Sequence, residues 1–210
     1  MSLVSIEFLI EGAISGNLVS FPTDTVPALA ARPDRADLIF QAKGRSQDKP
    51  VILMGANAKY LWPYVCGSDE ELQLWQGVAK EHWPGPLTLV LPASVMVPRV
   101  MNPVEGTTIG VRVPNCDIAR EIMAKTGPLA TTSANFSGQP TLEGMVEINS
   151  QFPDVLVLSL SQSQEMMLAS GVPSTIVKWN GIAGWEILRQ GAVKLKSVSY
   201  THLRAHETFA

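Results

Sequence analysis

Short apolar runs typical of β-strands alternate along this chain with segments of helical periodicity, and this alternation is the strongest constraint on its fold. Helices are predicted over residues 3–15, 34–43, 68–81, 117–125 and 141–149. Strands are predicted over residues 18–21, 51–54, 87–91, 108–113, 129–132, 155–158, 174–179 and 185–189. Some strands follow one another without a helix between them, and Asn180-Gly181 is a turn signal that predicts antiparallel pairing. We therefore expect an α/β fold with a mixed parallel and antiparallel sheet and flanking helices.

The length of 210 residues and the hydrophobic content of 46% are sufficient for one domain with a single core. Proline and glycine are spread along the chain, and no charge run or low-complexity tract indicates a linker. We predict one domain over residues 1–196 and a tail over residues 197–210. The tail has His202 and His206 at i,i+4, but it lacks the glutamate of a HExxH metal motif. We interpret it as a disordered end or a non-native extension.

Net charge and missing motifs disfavour several classes of protein. A net charge of −3 argues against non-specific nucleic-acid binding as the main role, although it leaves room for a local basic cleft. The chain has neither a P-loop nor a GxGxxG motif after a strand, and His82 is the only histidine before the tail. A catalytic triad would therefore depend on that one histidine. Nucleotide binding of the P-loop or Rossmann type is not expected, and neither is a histidine-dependent hydrolase.

Cys66 and Cys116 belong to no CxxC motif, so we interpret them as buried apolar groups rather than a disulfide or a metal site. No metal site is predicted in the protein. No apolar stretch reaches the roughly 20 residues that span a bilayer, and the N-terminus lacks the pattern of a signal peptide. No membrane partner is expected, and a cytoplasmic location is the default.

Two short polar segments follow predicted elements, and each has two interpretations. Thr23-Asp24-Thr25 comes directly after a strand, where an Asp turn with its own hydrogen bonds is the favoured interpretation and a cleft wall the alternative. Lys43, Arg45 and Lys49 place three cations near the end of a helix. These cations either complement the helix dipole from a solvated surface or bind a polyphosphate, and the residues alone do not decide between them.

The segment from Thr131 to Thr141 is the most unusual part of the sequence. Its small hydroxyl residues leave backbone N–H groups accessible, and Thr141 is predicted to begin a helix that would favour an anion. An alternative is a loop that only satisfies its own backbone, but we favour a binding site. Two arginines lie on predicted strands, Arg112 within one strand and Arg189 at the end of another. Each of them faces either solvent or a cleft.

Taken in order, seven segments resemble the YrdC/TsaC family over residues 3–195: FPTDTVPAL, KGRSQDKP, HWPGPLTLVL, TIGVRVP, LATTSANFSGQPT, PSTIV and ILRQGA. The resemblance implies a single-domain twisted sheet with a concave basic cavity. It also implies L-threonylcarbamoyladenylate synthase activity, which forms threonylcarbamoyl-AMP and pyrophosphate from L-threonine, bicarbonate or CO2, and ATP. The product would serve N6-threonylcarbamoyladenosine modification at position 37 of tRNA.

The resemblance also implies roles for individual residues. Lys43 and Arg45 would be catalytic. The residues implied to bind L-threonine are Thr25, Arg112, Thr131 and Ser174. Those implied to bind ATP are Arg45, Lys49, Thr108, Ser133, Asn135, Thr141 and Arg189. Mg²⁺ is expected with ATP rather than in a protein metal cluster, and the implied partners are a downstream threonylcarbamoyl-transferase complex and tRNA or double-stranded RNA.

Two departures from the family pattern affect the expected threonine pocket. Pro27-Ala28 replaces the usual Tyr-Gly, and Met54 stands where some relatives have histidine. Proline lacks an N–H group and alanine tolerates fewer backbone conformations than glycine, so the local backbone must differ. Two other functions stay open: a non-catalytic module that binds double-stranded RNA or tRNA on the same face, and a carbamoyl-transfer domain of the kind found in longer chains.

Overall fold

A ten-stranded sheet forms the centre of the protein in the computed structural model, which describes residues 3–142, 144–161 and 170–194. The strands are β1 Leu3–Val4, β2 Val19–Phe21, β3 Ala28–Ala31, β4 Ile52–Met54, β5 Leu87–Pro92, β6 Thr108–Arg112, β7 Leu129–Ser133, β8 Leu156–Leu158, β9 Thr175–Trp179 and β10 Trp185–Arg189. Their order across the sheet is β1-β8-β2-β3-β7-β4-β6-β5-β9-β10. The strand predictions agree with these bounds to within one residue, apart from β1 and β3, which were not predicted.

The sheet contains both parallel and antiparallel pairs, as the sequence predicted. β8 is parallel to β1 and β2, β4 is parallel to β6, and β5 is parallel to β9. The other pairs are antiparallel, including β9 and β10, which flank the Asn180-Gly181 turn. Because β2 and β3 form a hairpin, the Thr23-Asp24-Thr25 segment lies in the loop between two buried strands.

Five α-helices are present in the described residues: α1 Ile6–Ile14, α2 Asp37–Lys43, α3 Asp69–His82, α4 Asp117–Thr126 and α5 Met145–Gln151. A capping box begins α3, because the Glu71 N–H donates to Ser68 Oγ at 3.2 Å and the Ser68 N–H donates to Glu71 Oε2 at 3.0 Å. This reciprocal pair satisfies two N–H groups that a helix leaves without partners.

Three predicted helix starts were wrong. Leu3–Val4 is a strand rather than helix, because Ser5 caps α1 by accepting the Phe8 N–H at 3.3 Å and the preceding residues pair with β8. Residues 34–43 are not one helix, since Pro33–Arg35 forms a 3-10 turn before α2. Thr141 does not cap α5, which begins at Met145 after Gly144, so no helix N-terminus contributes an anion site at Thr141.

The strands alternate their side chains between two hydrophobic clusters, as the period of two in a β-strand requires. One cluster joins Leu53 and Ala130 to α2, α3 and α5, with Trp75 fully buried at its centre. The other joins Met54 and Leu129 to α1 and α4. Among the described residues, α1 and α4 cover only part of this second face, and the functional cavity lies on the remainder.

Other sequence predictions have mixed outcomes. Cys66 and Cys116 are both free, but only Cys116 is buried, so the prediction of two buried thiols was wrong for Cys66. Cys66 instead lies exposed near the Ala93 carbonyl. None of the described helices has the length and apolarity needed to cross a membrane. The tail with His202 and His206 lies outside the described residues.

Candidate functional site

A cavity of about 190 Å³ opens on the second face of the sheet. Residues that pair on neighbouring strands point to the same face, and the register therefore determines the floor of this cavity. Ile52 on β4 pairs with Thr131 on β7 and with Gly110 on β6, and Met54 pairs with Arg112. Arg112 consequently points into the cleft rather than to open solvent, which resolves the alternative that the sequence left open.

Most residues implied by the family resemblance meet at this cavity, and some do not. Eight of them line it: Thr25, Arg45, Arg112, Thr131, Ser133, Thr141, Ser174 and Arg189. Four do not line it: Lys43, Lys49, Thr108 and Asn135. Of these four, Lys43 and Asn135 contact Ser133 and so lie behind the wall, whereas Lys49 is exposed and Thr108 is on the far part of β6.

Arg112 is the most buried of the three arginines that line the cavity, at 2% exposure. Its Nε donates to the Gly85 carbonyl at 3.1 Å, Nη1 donates to Thr25 Oγ1 at 3.0 Å, and Nη2 donates to Asp24 Oδ1 at 2.5 Å. Burial lowers the pKa of the guanidinium, and the charge of Asp24 partly offsets this effect. The pair is therefore a buried, hydrogen-bonded ion pair of the kind that fixes a side chain in one orientation.

Arg189 approaches the cavity from β10 and is held by Ser174. Its Nε and Nη2 donate to the Ser174 carbonyl at 3.1 and 2.9 Å, and Nη2 also donates to the Ser174 hydroxyl at 3.1 Å. That hydroxyl shares a hydrogen bond of 3.0 Å with buried Thr88 on β5. Burial lowers the pKa of Arg189 as well. The cation is thus fixed beside two hydroxyl groups that also line the cavity.

Lys43 ends α2 and points beneath the segment that follows β7. Its Nζ donates to the Ser133 carbonyl and to Asn135 Oδ1, and the side chain is 2% exposed. Burial, with a smaller contribution from the nearby charge of Arg45, lowers the pKa of Lys43 to about 7. This cation therefore titrates in the physiological range, where an added phosphate would change its protonation.

Arg45 lies just beyond α2, after Gly44 ends the helix in the left-handed conformation that favours glycine. Its Nε donates to the Lys49 carbonyl at 2.8 Å and Nη2 to the Pro50 carbonyl at 3.2 Å. Burial lowers its pKa too. Lys49 thus orients Arg45 through its backbone.

The described contacts of Thr108 are likewise through its backbone, at the β-ladder and at the Asn102 amide, away from the cavity.

The segment after β7 satisfies many of its own polar groups. Asn135 Nδ2 donates to the carbonyls of Phe136 and Gln139, and Asn135 Oδ1 accepts from Ser133 Oγ at 2.6 Å. The self-satisfied loop considered from sequence is therefore correct for Asn135. Thr131, Ser133 and Thr141 nevertheless line the cavity, so this segment shapes the wall as well.

Sequence reasoning assigned no site role to Asp24, Thr88 and Gly110. Asp24 belongs to a segment for which a turn was the favoured interpretation and a cleft wall the alternative, and its partner Arg112 is 88 residues away. Thr88 within an apolar strand gave no polar signal. Gly110 lies next to the lining residues Ile52 and Thr88, and a Cβ at this position would come within 2.8 Å of Ile52 Cγ2. The isolated glycine within a predicted strand was the signal that could have identified this close approach.

An apolar wall completes the cavity and includes both departures from the family pattern. Pro27, Ala28 and Met54 line it together with Val26 and Ile52. Met54 pairs with Arg112 across the sheet, so a ligand held by Arg112 would contact this wall. Within the described residues, no group of three or more His, Cys, Asp or Glu side chains is arranged to hold a metal ion.

Three arginines and several hydroxyl groups surround one cavity of this α/β sheet, and side chains of these kinds are suited to anionic groups. The family model described as "Telomere recombination", for the Sua5/YciO/YrdC domain, matches residues 13–191. The chain belongs to this family.

Relatives and a solved structure agree with that assignment. The chain is 34% identical over 191 residues to a threonylcarbamoyl-AMP synthase of Pyrococcus abyssi, covering 87% of this chain and 53% of the relative. It is 35% identical over 153 residues to one of Vibrio parahaemolyticus, covering 69% and 80%. The fold matches P. abyssi Sua5 complexed with L-threonine with a TM-score of 0.76 at 33% identity, covering 89% of this chain and 54% of that one. This chain thus spans about half the length of the Pyrococcus proteins.

Proposed function

We propose that this chain is an L-threonylcarbamoyladenylate synthase, a nucleotidyltransferase acting on L-threonine, bicarbonate or CO2, and ATP. The observation that carries the proposal is the convergence of Arg45, Arg112 and Arg189 on one cavity with hydroxyl side chains between them. Two of the three substrates are anions and the third carries a carboxylate, so such a cavity suits all of them. The names of the relatives support the same activity.

The reaction needs positioning and charge neutralisation more than covalent help from the protein. The threonine amine adds to CO2 and loses a proton, which gives a carbamate. A carbamate oxygen then attacks the α-phosphorus of ATP, a new P–O bond forms, and the bond to the β-phosphate oxygen breaks to release pyrophosphate. Fixed arginines stabilise the charge on the phosphates as it redistributes. This account agrees with a site rich in Arg, Ser and Thr.

Within this mechanism, the two ends of the cavity hold different substrates. Arg112 and Thr25 would bind threonine, with Ser174 and Thr131 beside them, because Arg112 lies deepest and faces the apolar wall. Arg45 and Arg189 would bind the nucleotide, with Ser133 and Thr141 beside them. Lys43 would add charge from behind Ser133. Mg²⁺ would arrive with ATP, bound to its phosphates.

The product would pass to a threonylcarbamoyl-transferase complex that modifies tRNA, and the protein would work in the cytoplasm. A module that only binds RNA is the second candidate, because the same arginines suit phosphates of any origin. The synthase is favoured because the cavity on the face of the sheet has a volume of about 190 Å³. A cavity of this size suits a small ligand rather than an RNA duplex.

The test is to incubate the protein with ATP, threonine and bicarbonate and to measure pyrophosphate and the adenylate, omitting each substrate in turn. Release of pyrophosphate that requires all three substrates would support the proposal. RNA affinity with steep salt dependence and no turnover of ATP would instead favour the binding module.

A further inference from the structure

A second cavity, of about 450 Å³, lies beyond the ends of β4 and β6. It shares no lining residue with the functional cavity. The two are close along the chain, because Met54 and Arg112 line the functional cavity whereas Ala56 and Val113 line the second one. Sites for small molecules commonly have volumes of roughly 300–1,000 Å³, so the second cavity has room for a ligand of its own.

One face of α3 forms a wall of the second cavity. Gln76, Ala79, Lys80 and Trp83 line it, at the spacing that places residues on the same side of a helix. The Trp83 indole is held in place because its Nε1 donates to the Leu87 carbonyl at 2.7 Å. Trp83 belongs to one of the seven segments that resemble the family, and the proposed function gives this side chain no role.

Two tryptophans provide an aromatic surface in this cavity. Trp62 stacks on Trp83, with the ring centroids 5.9 Å apart and an angle of 29° between the ring planes. Both indoles line the cavity and are partly exposed, in contrast to Trp75 of α3, which is fully buried. Aromatic side chains with accessible surface pack well against flat rings, and stacking on them is a common way of holding nucleobases. The aromatic pair therefore favours a ligand with a flat ring.

Two cations line the same cavity, Lys80 from α3 and Arg120 from α4. Arg120 Nε donates to the Ala56 carbonyl at 3.3 Å, which orients the guanidinium at the cavity wall. Its Nη1 lies 3.6 Å from the exposed carboxylate of Asp117, which is outside the cavity. Among the described residues that line the cavity, none is acidic. Because arginine donors match phosphate oxygens, this side of the cavity favours an anionic group.

We propose that the second cavity binds a nucleotide, with its base against Trp62 and Trp83 and its phosphate on Lys80 and Arg120. Asn57 caps a short 3-10 turn through Oδ1, which leaves its amide N–H groups as donors for the acceptor atoms of a base. The inference goes beyond the synthase activity and does not depend on it. The nucleotide is either free in solution or an unpaired nucleotide of RNA, and the experiment separates these two sources.

The experiment follows fluorotryptophan-labelled protein by fluorine NMR, with AMP as the probe. None of the described residues that line the functional cavity is a tryptophan, so the resonances of Trp62 and Trp83 report on the second cavity. These resonances are assigned with Trp62→Phe and Trp83→Phe. Both should shift saturably as AMP is added. Adenosine lacks the phosphate and ribose 5-phosphate lacks the base, so each should bind about tenfold or more weakly than AMP.

Variants of the two cations test the phosphate contact. Arg120→Gln should raise the dissociation constant for AMP about tenfold, and Lys80→Gln about threefold, because a fixed guanidinium contributes more than an exposed ammonium. Lys125→Gln is the matched control, since it removes an exposed cation of α4 that lines neither cavity. It should leave AMP binding unchanged. Pyrophosphate release should stay normal in all three variants, so a failure of this inference is distinguishable from a failure of the proposed function.

A short single-stranded oligoadenylate is titrated in parallel with AMP. Shifts with the oligoadenylate alone would assign the cavity to an unpaired nucleotide of RNA, and shifts with AMP would assign it to a free nucleotide. If neither ligand shifted the Trp62 and Trp83 resonances, the inference would be overturned. Equal affinity for AMP and adenosine would also overturn it, and that result needs no variant to fold. An unchanged dissociation constant in folded Arg120→Gln would show that the shifts follow binding elsewhere, which would overturn it as well.

Discussion

Arg189 donates three hydrogen bonds to Ser174, two to its carbonyl oxygen and one to its hydroxyl. The residue that ends β10 is thereby fixed to the residue that precedes β9, on the wall of the cavity. A guanidinium held in this way loses little side-chain freedom when a phosphate binds, so more of the binding energy remains available. The Ser174 hydroxyl connects this cation to Thr88 and hence to β5.

Ser174→Ala should therefore lower the proposed synthase activity without unfolding the protein. The variant removes one hydrogen bond to Arg189 and the partner of the Thr88 hydroxyl, but it keeps both bonds to the carbonyl. A loss of about 1–2 kcal/mol corresponds to roughly a five- to thirtyfold lower kcat/KM. Steady-state pyrophosphate release would measure it, and Ser150→Ala on the exposed side of α5 is the control. Equal kcat/KM in both variants would contradict the role given to Ser174.

Arg45→Ala should largely abolish pyrophosphate release that depends on threonine and bicarbonate. Removing a fixed phosphate donor costs on the order of 2–4 kcal/mol of transition-state stabilisation, or roughly thirty- to thousandfold in rate. The fold should persist, because the hydrogen bonds that the Arg45 side chain makes to the described residues are to the nearby Lys49 and Pro50 carbonyls. Arg99→Ala, at an exposed position outside the cavity, should retain normal turnover. Near-normal turnover of Arg45→Ala would remove Arg45 from the phosphate site.

Features with local causes were predictable from the sequence. The α3 capping box depends on two residues three positions apart, and the αL end of α2 depends on Gly44 alone. The start of α5 is a contrast, because Thr141 had the right composition for a cap but the chain begins the helix only after Gly144. A hydroxyl residue at a plausible position does not determine where the helix begins when tertiary packing places the chain elsewhere.

The face on which a strand residue lies depends on pairings that sequence reasoning did not provide. Arg112 was correctly placed in a strand, but its direction follows from the pairing of Met54 with Arg112, two residues 58 positions apart. A shift of one residue would have turned Arg112 to the opposite face. The ion pair with Asp24 depends in turn on the position of the β2–β3 hairpin in the sheet. Strand β3 of this hairpin pairs with β7 and not with β6. The order of the motifs along the chain identified the family, whereas the register of the strands determines which residues line the site.

Lys43 should make ATP binding depend on pH. Its pKa is about 7 in the free protein, against an ordinary value of 10.5, so the ammonium is increasingly lost as the pH rises above 7. Phosphates near Ser133 would favour the charged form, so binding between pH 7 and 9 should take up a proton and weaken as the pH rises. Calorimetry in buffers of different ionisation enthalpy would measure this uptake, and Lys43→Met should lack it. The same uptake in Lys43→Met would exclude Lys43 as its source.

The lowered pKa of Lys43 also makes the free energy of unfolding depend on pH. The dependence has the opposite sign from that of a lysine in an ion pair, whose pKa is raised in the folded protein. Because the folded protein holds Lys43 less protonated than the unfolded chain does, the unfolded state binds more protons between about pH 7 and 10.5. The free energy of unfolding should therefore rise with pH through this range relative to Lys43→Met. Urea unfolding of both proteins at pH 7 and 9 checks it. If the difference in unfolding free energy between the two proteins did not change with pH, burial would not be disfavouring the charged form of Lys43.

Gly110→Ala should disturb the floor of the cavity. The added Cβ would lie 2.8 Å from Ile52 Cγ2 and 3.4 Å from Thr88 Cγ2, on two neighbouring strands. Ile52 is β-branched and cannot easily rotate away, so a strand or side chain must shift, at a cost of about 1–3 kcal/mol in stability. Since Ile52 and Thr88 both line the cavity, affinity for substrates should fall as well.

Gly77→Ala provides the comparison, because the same methyl group is added where no atom lies within 4 Å. Gly77 is within α3, where alanine is the better helix former, so this variant should be more stable by about 0.5–1 kcal/mol and fully active. Urea unfolding and pyrophosphate release, measured on both variants, separate the general effect of a methyl group from its effect on the floor. A Gly110→Ala protein as stable and active as Gly77→Ala would mean that β4 and β5 can separate freely, and the floor would then not be the rigid element that positions Arg112.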